Sequence, residues 1–240
     1  MKKGFFVALV ALALVVAPAW ADQNGTFGWE DGSTTVLGTY GGNIAVANST
    51  EQAHSGSHSL KMTESPLNGT PQAYVWWVTG LALGDTVTAS FWIYDSTPDA
   101  APSGRIWGHY TPVAGDITSY GGSAGGNDVY SDGTGWSLVS YSWTFDPDAG
   151  FGGNDGLVVE ARIYSGTDGD SIYVDDASIT VSSDTADVYL PDGTILADQP
   201  TPTPDPNAGG TPIPTLNWLG ILTMIAMMAG VSLLLVIRRK

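Results

Sequence analysis

Three short stretches of this chain place aromatic or long polar side chains at every second position. Arg105, Trp107 and His109 form one set, Trp92 and Tyr94 a second, and Glu160, Arg162 and Tyr164 a third. A spacing of two puts each set on one face of a β-strand. The opposite faces are apolar: Val87, Ala89, Phe91 and Ile93 behind the second set, Leu157, Val159, Ala161 and Ile163 behind the third. Sugar rings offer apolar C–H faces that stack on Trp and Tyr, and hydroxyls that take planar polar partners. If the three faces belong to one concave sheet, these eight residues make an aromatic floor with Arg, Glu and His rims, and the ligand expected there is a polysaccharide. A large aromatic patch left exposed marks an interaction site. The alternative is that some of these rings, and one of Trp76 and Trp77, pack in the core of a two-layer sandwich.

Other chemistries are poorly supplied. Cysteine is absent, which removes disulfides, thiol catalysis and Cys-ligated metals. His54 and His58 are four apart, but they sit in a loop entering a strand, so helical zinc spacing does not apply. No Gly-x-Ser-x-Gly elbow, phosphate loop or dinucleotide fingerprint occurs. A glycosidase needs two carboxylates about 5–10 Å apart across a cleft. Glu160 is the one acid on the open face of a predicted strand, so the chain reads as a non-enzyme. The acid pairs Asp146/Asp148 and Asp168/Asp170 read as turns. Charge excludes a further class. Between residues 22 and 217 lie Lys61, Arg105 and Arg162 against all 24 acids, a net of −21. A nucleic-acid binder needs clustered bases to displace counterions, and an anionic lipid surface would repel this segment. The same excess favours a neutral glycan over an acidic one.

The elements that must position these residues are strands. Glycine is 31 of 240 residues, nearly twice the usual share of about 7%, and no stretch of 22–182 keeps a 3.6-residue apolar period. Alternating runs are expected at 86–94, 137–145 and 157–164, with further strands near 43–47, 57–63, 72–78, 105–110 and 171–181. About eight strands in about 160 residues predict an all-β fold, a jelly-roll β-sandwich over 22–182. A Pro-rich linker is expected over 183–212, extended and semi-rigid, although 188–196 also reads as an edge loop of the domain. At the start, Lys2 and Lys3, the apolar run 5–16 and Ala19-Trp20-Ala21 predict a secretory signal peptide over 1–21. At the end, 218–237 carries no charge and is followed by Arg238, Arg239 and Lys240. Twenty helical residues span about 30 Å, so a transmembrane helix with its basic end inside is expected.

Two stretches carry family likenesses. Ile213-Pro214-Thr215-Leu216, followed by an apolar helix and a basic end, resembles the IPTL-type C-terminal sorting signal of bacterial surface proteins. That resemblance implies a Gram-negative-type bacterium, a sorting transpeptidase as partner during export, and a protein first anchored by its C-terminal helix and then processed to the cell surface or matrix. The second likeness runs through Gly25–Gly32, Ala53–Met62, Leu83–Tyr94, Gly135-Trp136 and Ile172–Ile179. In that order these segments resemble the CenC-type carbohydrate-binding modules among the galactose-binding-like jelly rolls. The resemblance implies sugar binding and a structural calcium. Glu30 and Asp175 would supply carboxylates, with oxygens around Gly28, Ser55 and His58 completing the shell; Asp176 replaces Asp175 if the register is the other one. The competing function is a structural or adhesive surface protein that keeps the fold and has no sugar-binding groove.

Overall fold

The structure is a computed structural model that describes residues 22–196. The expected signal peptide at 1–21, most of the linker, the sorting motif 213–216 and the apolar segment 218–237 lie outside the described residues.

Among the described residues twelve strands form two antiparallel sheets. They are β1 (Gln23–Phe27), β2 (Gly38–Tyr40), β3 (Ile44–Ser49), β4 (Ser59–Glu64), β5 (Gln72–Thr79) and β6 (Thr86–Asp95), then β7 (Ser103–Pro112), β8 (Ser123–Gly126), β9 (Gly135–Thr144), β10 (Asn154–Tyr164), β11 (Ser171–Val181) and β12 (Asp187–Tyr189). The first sheet runs β3-β4-β11-β6-β9, and β1 shares one edge of β11 with β4. The second runs β12-β5-β10-β7-β8, and β2 shares one edge of β5 with β12. The fold is a β-sandwich.

Alternation accounts for the two layers. On β6 the apolar series Val87, Ala89, Phe91 and Ile93 is buried, while Thr88, Ser90, Trp92 and Tyr94 face outward. On β9 Val139 and Trp143 point inward, with Phe145 just beyond the strand, as the spacing predicts. These residues close on Trp29, Trp76, Ile106, Leu157 and Ile163 from the other elements. β10 departs from simple alternation. Val158 and Glu160, on its outer side, are as buried as Leu157 and Val159. A central strand is covered on both faces when loops and long side chains fold over its outer one.

The predicted domain boundary at 182 is too early. Ala186, Val188 and Leu190 are core residues, and β12 pairs with β5 through Val188 and Val78. Asp187-Val188-Tyr189 alternates over only three positions, too short to stand out beside a Pro-rich stretch. Another irregularity shapes the first sheet. The β11–β6 register shifts between Asp175 and Ser178, and Asp176 takes a positive φ of 45°. This bulge turns two adjacent acids toward the loop 53–58.

Candidate functional site

The eight residues expected on one surface are divided between the two sheets. Arg105, Trp107 and His109 lie on β7, and Glu160, Arg162 and Tyr164 on the neighbouring β10. Trp92 and Tyr94 lie on β6, in the other sheet, and face away from them. Alternation assigns a residue to one side of its strand; it does not say which sheet the strand joins.

On the second sheet the outward side chains form cross-strand rows. One row runs Tyr40, Gln72, Arg162, Arg105 through β2, β5, β10 and β7. The next runs Gly38, Tyr74, Glu160, Trp107. Neighbouring strands are about 4.8 Å apart, so such a row spans about 14 Å. Glu160 is the hub. His109 Nδ1 shares a 2.5 Å hydrogen bond with Oε1, and Arg162 Nε donates to Oε2 at 2.8 Å. With its amide oriented to suit both neighbours, Gln72 donates to the Glu160 carboxylate and accepts from Arg162, each at 3.1 Å. Glu160 and His109 are both buried. A buried carboxylate paired with a guanidinium and an imidazole, and hydrogen-bonded at both oxygens, meets the condition for holding charge out of water.

Above this network lies a cleft of about 360 Å³, lined by Gln72, Tyr74, His109, Arg162, Thr118 and the rings of Tyr40 and Tyr120. Tyr40 is 63% exposed and Tyr120 57%. They stand at opposite ends, one on β2 and the other on the loop after β7. Burial, reinforced by the Glu160 carboxylate, pushes the Tyr74 hydroxyl up to about 12, so it stays a neutral phenol over the whole useful pH range. His109 Nε2 has no hydrogen-bond partner among the described residues, and His109 lines the cleft. The floor thus offers a phenol, an imidazole nitrogen, an amide and a guanidinium, with an aromatic ring at either end.

The two tryptophans expected to stack on a ligand have their rings occupied. The Arg105 and Arg162 guanidinium carbons lie 4.5 and 4.7 Å from the Trp107 ring, and the Trp107 indole N–H donates to Ser123 Oγ. Arg105 also sits near the rings of Tyr130 and Tyr164 and donates to the Tyr164 hydroxyl at 2.7 Å. In the other sheet, the His54 ring stacks on Trp92 at 4.0 Å. Tyr94 there is held edge-on between Trp136 and Tyr173.

The residues missed by the alternation are Tyr40, Gln72, Tyr74 and Tyr120. One signal was present. Tyr40-Gly41-Gly42 and Tyr120-Gly121-Gly122 repeat the same tripeptide, and both tyrosines line the cleft. The glycines let the chain turn sharply beside an outward ring. Gly41 and Gly122 have φ of 93° and 113°, and a Cβ on Gly122 would lie 2.6 Å from the Gly150 backbone.

A second locus gathers Gly28, Glu30, Ser55, His58 and Asp175 at the β11 bulge. Asp175 is fully buried, and its carboxylate accepts the N–H groups of His54 (2.8 Å), Ser55 (3.2 Å) and Asp176 (2.7 Å). Burial pushes this carboxyl up, and among the described residues no cationic side chain reaches it. Glu30 accepts the N–H groups of His58 and Ser57, each at 3.1 Å, and these hold its carboxyl below the usual range. A Cβ on Gly28 would lie 3.6 Å from Asp176 Oδ1, 3.8 Å from Asp175 Oδ1 and 3.9 Å from Glu30 Cγ. Three acids therefore converge over a glycine. His54 Nδ1 bonds Asp176 Oδ2 at 2.6 Å. Among the described residues no group of three His, Asp or Glu side chains is disposed to hold a metal by itself. The oxygen-only donors suit a hard cation, provided backbone carbonyls complete the shell.

No family model and no curated protein matches the chain. Similar solved structures include the CBM22-1 xylan-binding domain of Xyn10C from Paenibacillus barcinonensis, at 16% identity over 70% of this chain and 99% of that one, TM-score 0.45. The CBM22-2 xylan-binding domain of the same protein is 20% identical over 65% and 98%, TM-score 0.48. The C-terminal family 22 carbohydrate-binding module of Clostridium thermocellum Xyn10B is 17% identical over 66% and 92%, TM-score 0.42. Likenesses of this extent carry no weight on function, which rests on the site itself.

Proposed function

We propose that the outer face of the second sheet binds a polysaccharide without acting on it. The observation that supports this reading is the cleft itself: exposed tyrosine rings at both ends and a floor of fixed hydrogen-bonding groups between them. The rings stack on the C–H faces of sugars, while Arg162, Gln72, Tyr74 and His109 orient hydroxyls. None of the described residues lining the cleft is a carboxylate, and Glu160 beneath it is committed to His109 and Arg162. The two-carboxylate requirement of glycoside hydrolysis is therefore not met there. The excess of acid over base favours a neutral glycan. Affinity gel electrophoresis against soluble neutral and acidic polysaccharides tests the reading. Retardation by a neutral polymer that is weakened in Tyr120→Ala is expected. No retardation by any polymer overturns it in favour of a structural or adhesive role.

Calcium is proposed at the β11 bulge, held by Glu30 and Asp175 with carbonyl oxygens near Gly28, Ser55 and His58. It would supply the positive charge that a buried carboxylate lacks and tie the N-terminal segment to β11. Export is proposed from the sequence segments alone. Residues 1–21 would direct secretion, 218–237 would hold the chain in the membrane, and a sorting transpeptidase would act near Ile213-Pro214-Thr215-Leu216. Intact-mass measurement of the exported protein tests both ends.

A further inference from the structure

A second cavity, of about 370 Å³, lies beside the first, and Tyr40 borders both. Its lining is polar loop: Gly41, Gly42, Asn43, Asn68 and Thr70. The Asn68 and Thr70 side chains make no hydrogen bond with the described residues, so their polar atoms are available to a ligand. The loop is fixed from below. Asn43 Nδ2 donates to Glu64 Oε1 at 3.0 Å and to the carbonyls of Pro66 and Asn68, at 3.1 and 2.7 Å. The same Glu64 oxygen accepts the Asn68 N–H at 2.8 Å. Glu64 is fully buried, and its other oxygen has no partner among the described residues. Through these bonds the buried carboxylate holds the 66–69 loop in place.

From these contacts we infer that the glycan crosses Tyr40 and continues into the second cavity, so that the ligand is an internal stretch of a neutral polysaccharide and not a chain end. The inference rests on the cleft reading above and adds its extent and direction. The chain would run across the strands, from Tyr120 past Arg162 and Gln72 to Tyr40, and on to Asn68 and Thr70. Each cavity falls in the size range of small-molecule sites, roughly two sugar rings apiece. Tyr40, 63% exposed, stands as the ridge between them. A ring that borders two cavities stacks on the sugar at the crossing, where a flexible chain most needs to be held.

Gly42 supplies the test. It lines the second cavity, has no positive φ, and a Cβ there meets nothing within 4 Å, so a side chain can be added at the cavity wall without backbone strain. The full chain is compared with Gly42→Trp using arabinoxylan, galactomannan and hydroxyethyl cellulose, and xylo-, manno- and cello-oligosaccharides of two to six residues. Wild-type affinity is expected to rise about tenfold or more between two and five residues. Gly42→Trp is expected to keep the affinity for short oligosaccharides, stop gaining with length, and lose about tenfold on polymer. The milder Asn68→Ala/Thr70→Ala pair is expected to show the same loss in part, which guards against an unfolded Gly42→Trp. Wild-type affinity that is flat beyond two residues, or Gly42→Trp binding polymer as wild type does, overturns the extension while leaving the cleft reading intact. Wild-type protein that binds none of these probes overturns the cleft reading and the extension with it.

Discussion

The outer faces of the two sheets carry similar aromatic sets, and they differ in what covers the rings. On the first sheet Trp92 lies under His54, Tyr94 is held between Trp136 and Tyr173, and Lys61 approaches Tyr173 from the far side. Each of these rings has a face or an edge taken by a neighbour. On the second sheet Trp107 is likewise spent, on two guanidiniums, but Tyr40 and Tyr120 are left open over a polar floor. Both faces follow the same alternation in sequence. The difference lies in the loops: 53–58 folds down on the first face, while the two Tyr-Gly-Gly turns hold their rings up on the second. An outward aromatic residue becomes a binding residue only when no loop has already used its face.

The largest expected effect contrasts the two acids that anchor these faces. Glu160 is buried between His109 and Arg162. Removing it in Glu160→Ala strands two basic groups and should cost about 3–5 kcal/mol. Glu51 pairs with Lys61 on the exposed side of the first face, and Glu51→Ala should cost far less, because solvent screens an exposed pair. Chemical denaturation of the two variants measures both. Equal costs would mean that the second face is no more organised than the first.

Next in size is the cation at the β11 bulge. A ligand at a hundredfold excess over its Kd stabilises the folded state by about 2.7 kcal/mol, or roughly 5–10 °C in Tm for a domain of this length. Thermal melts with calcium and with a chelator should separate by that amount in wild type and coincide in Glu30→Gln. Asp175→Asn should also abolish the difference, and it should melt below wild type even without calcium, because its amide nitrogen faces a backbone N–H that the carboxylate accepts. Coincident wild-type melts would leave the bulge as a set of hydrogen-bonded turns.

A smaller effect separates the faces directly. Tyr40→Ala and Tyr120→Ala should each weaken glycan retardation about tenfold, the equivalent of about 1.4 kcal/mol of stacking. Trp92→Ala should leave retardation unchanged and lower stability, through loss of the His54 stack. Retardation lost in Trp92→Ala and kept in Tyr120→Ala would reverse the assignment of the faces.

Much of this architecture could be read from particular residues. The buried series of β6, the inward face of β9 and the apolar side of β10 follow from alternation, and all eight expected strands are present. β1, β2, β8 and β12 were not legible because three to five residues rich in Gly, Thr and Asp carry too little pattern. Sheet membership was not legible either, because it depends on pairings such as Arg162 with Arg105 that only long-range closure sets. Alternation alone therefore groups Trp92 and Tyr94 with residues of the opposite sheet. Tyr40 and Tyr120 lie beside Gly pairs, where a periodicity search finds nothing. Glu160 was visible as a lone acid on a strand, but its burial comes from the side chains that fold over it.

The smallest expected effect tests how firmly the two sheets are joined at one end. Asp95 closes β6 in the first sheet, and Ser131 donates a short hydrogen bond to its carboxylate. Ser131 also accepts the Gly104 N–H at 2.8 Å and donates its own N–H to the Gly104 carbonyl, on β7 of the second sheet. Asp95 is buried, and burial pushes its carboxyl above the ordinary value despite the Ser131 bond. A group whose pKa is raised on folding contributes stability that is fully present below its unfolded value and is lost as pH rises through its folded value. The Asp95 contribution should therefore decline from the ordinary carboxylate range upward. Asp95→Asn keeps an acceptor for Ser131 and cannot ionise. Its stability relative to wild type should improve as pH rises through that window and level off above it. Denaturation of the pair at several pH values between 3.5 and 7 measures the difference. A difference that does not change with pH would mean that Asp95 is solvated as an ordinary surface acid, and that the two faces are not braced through it.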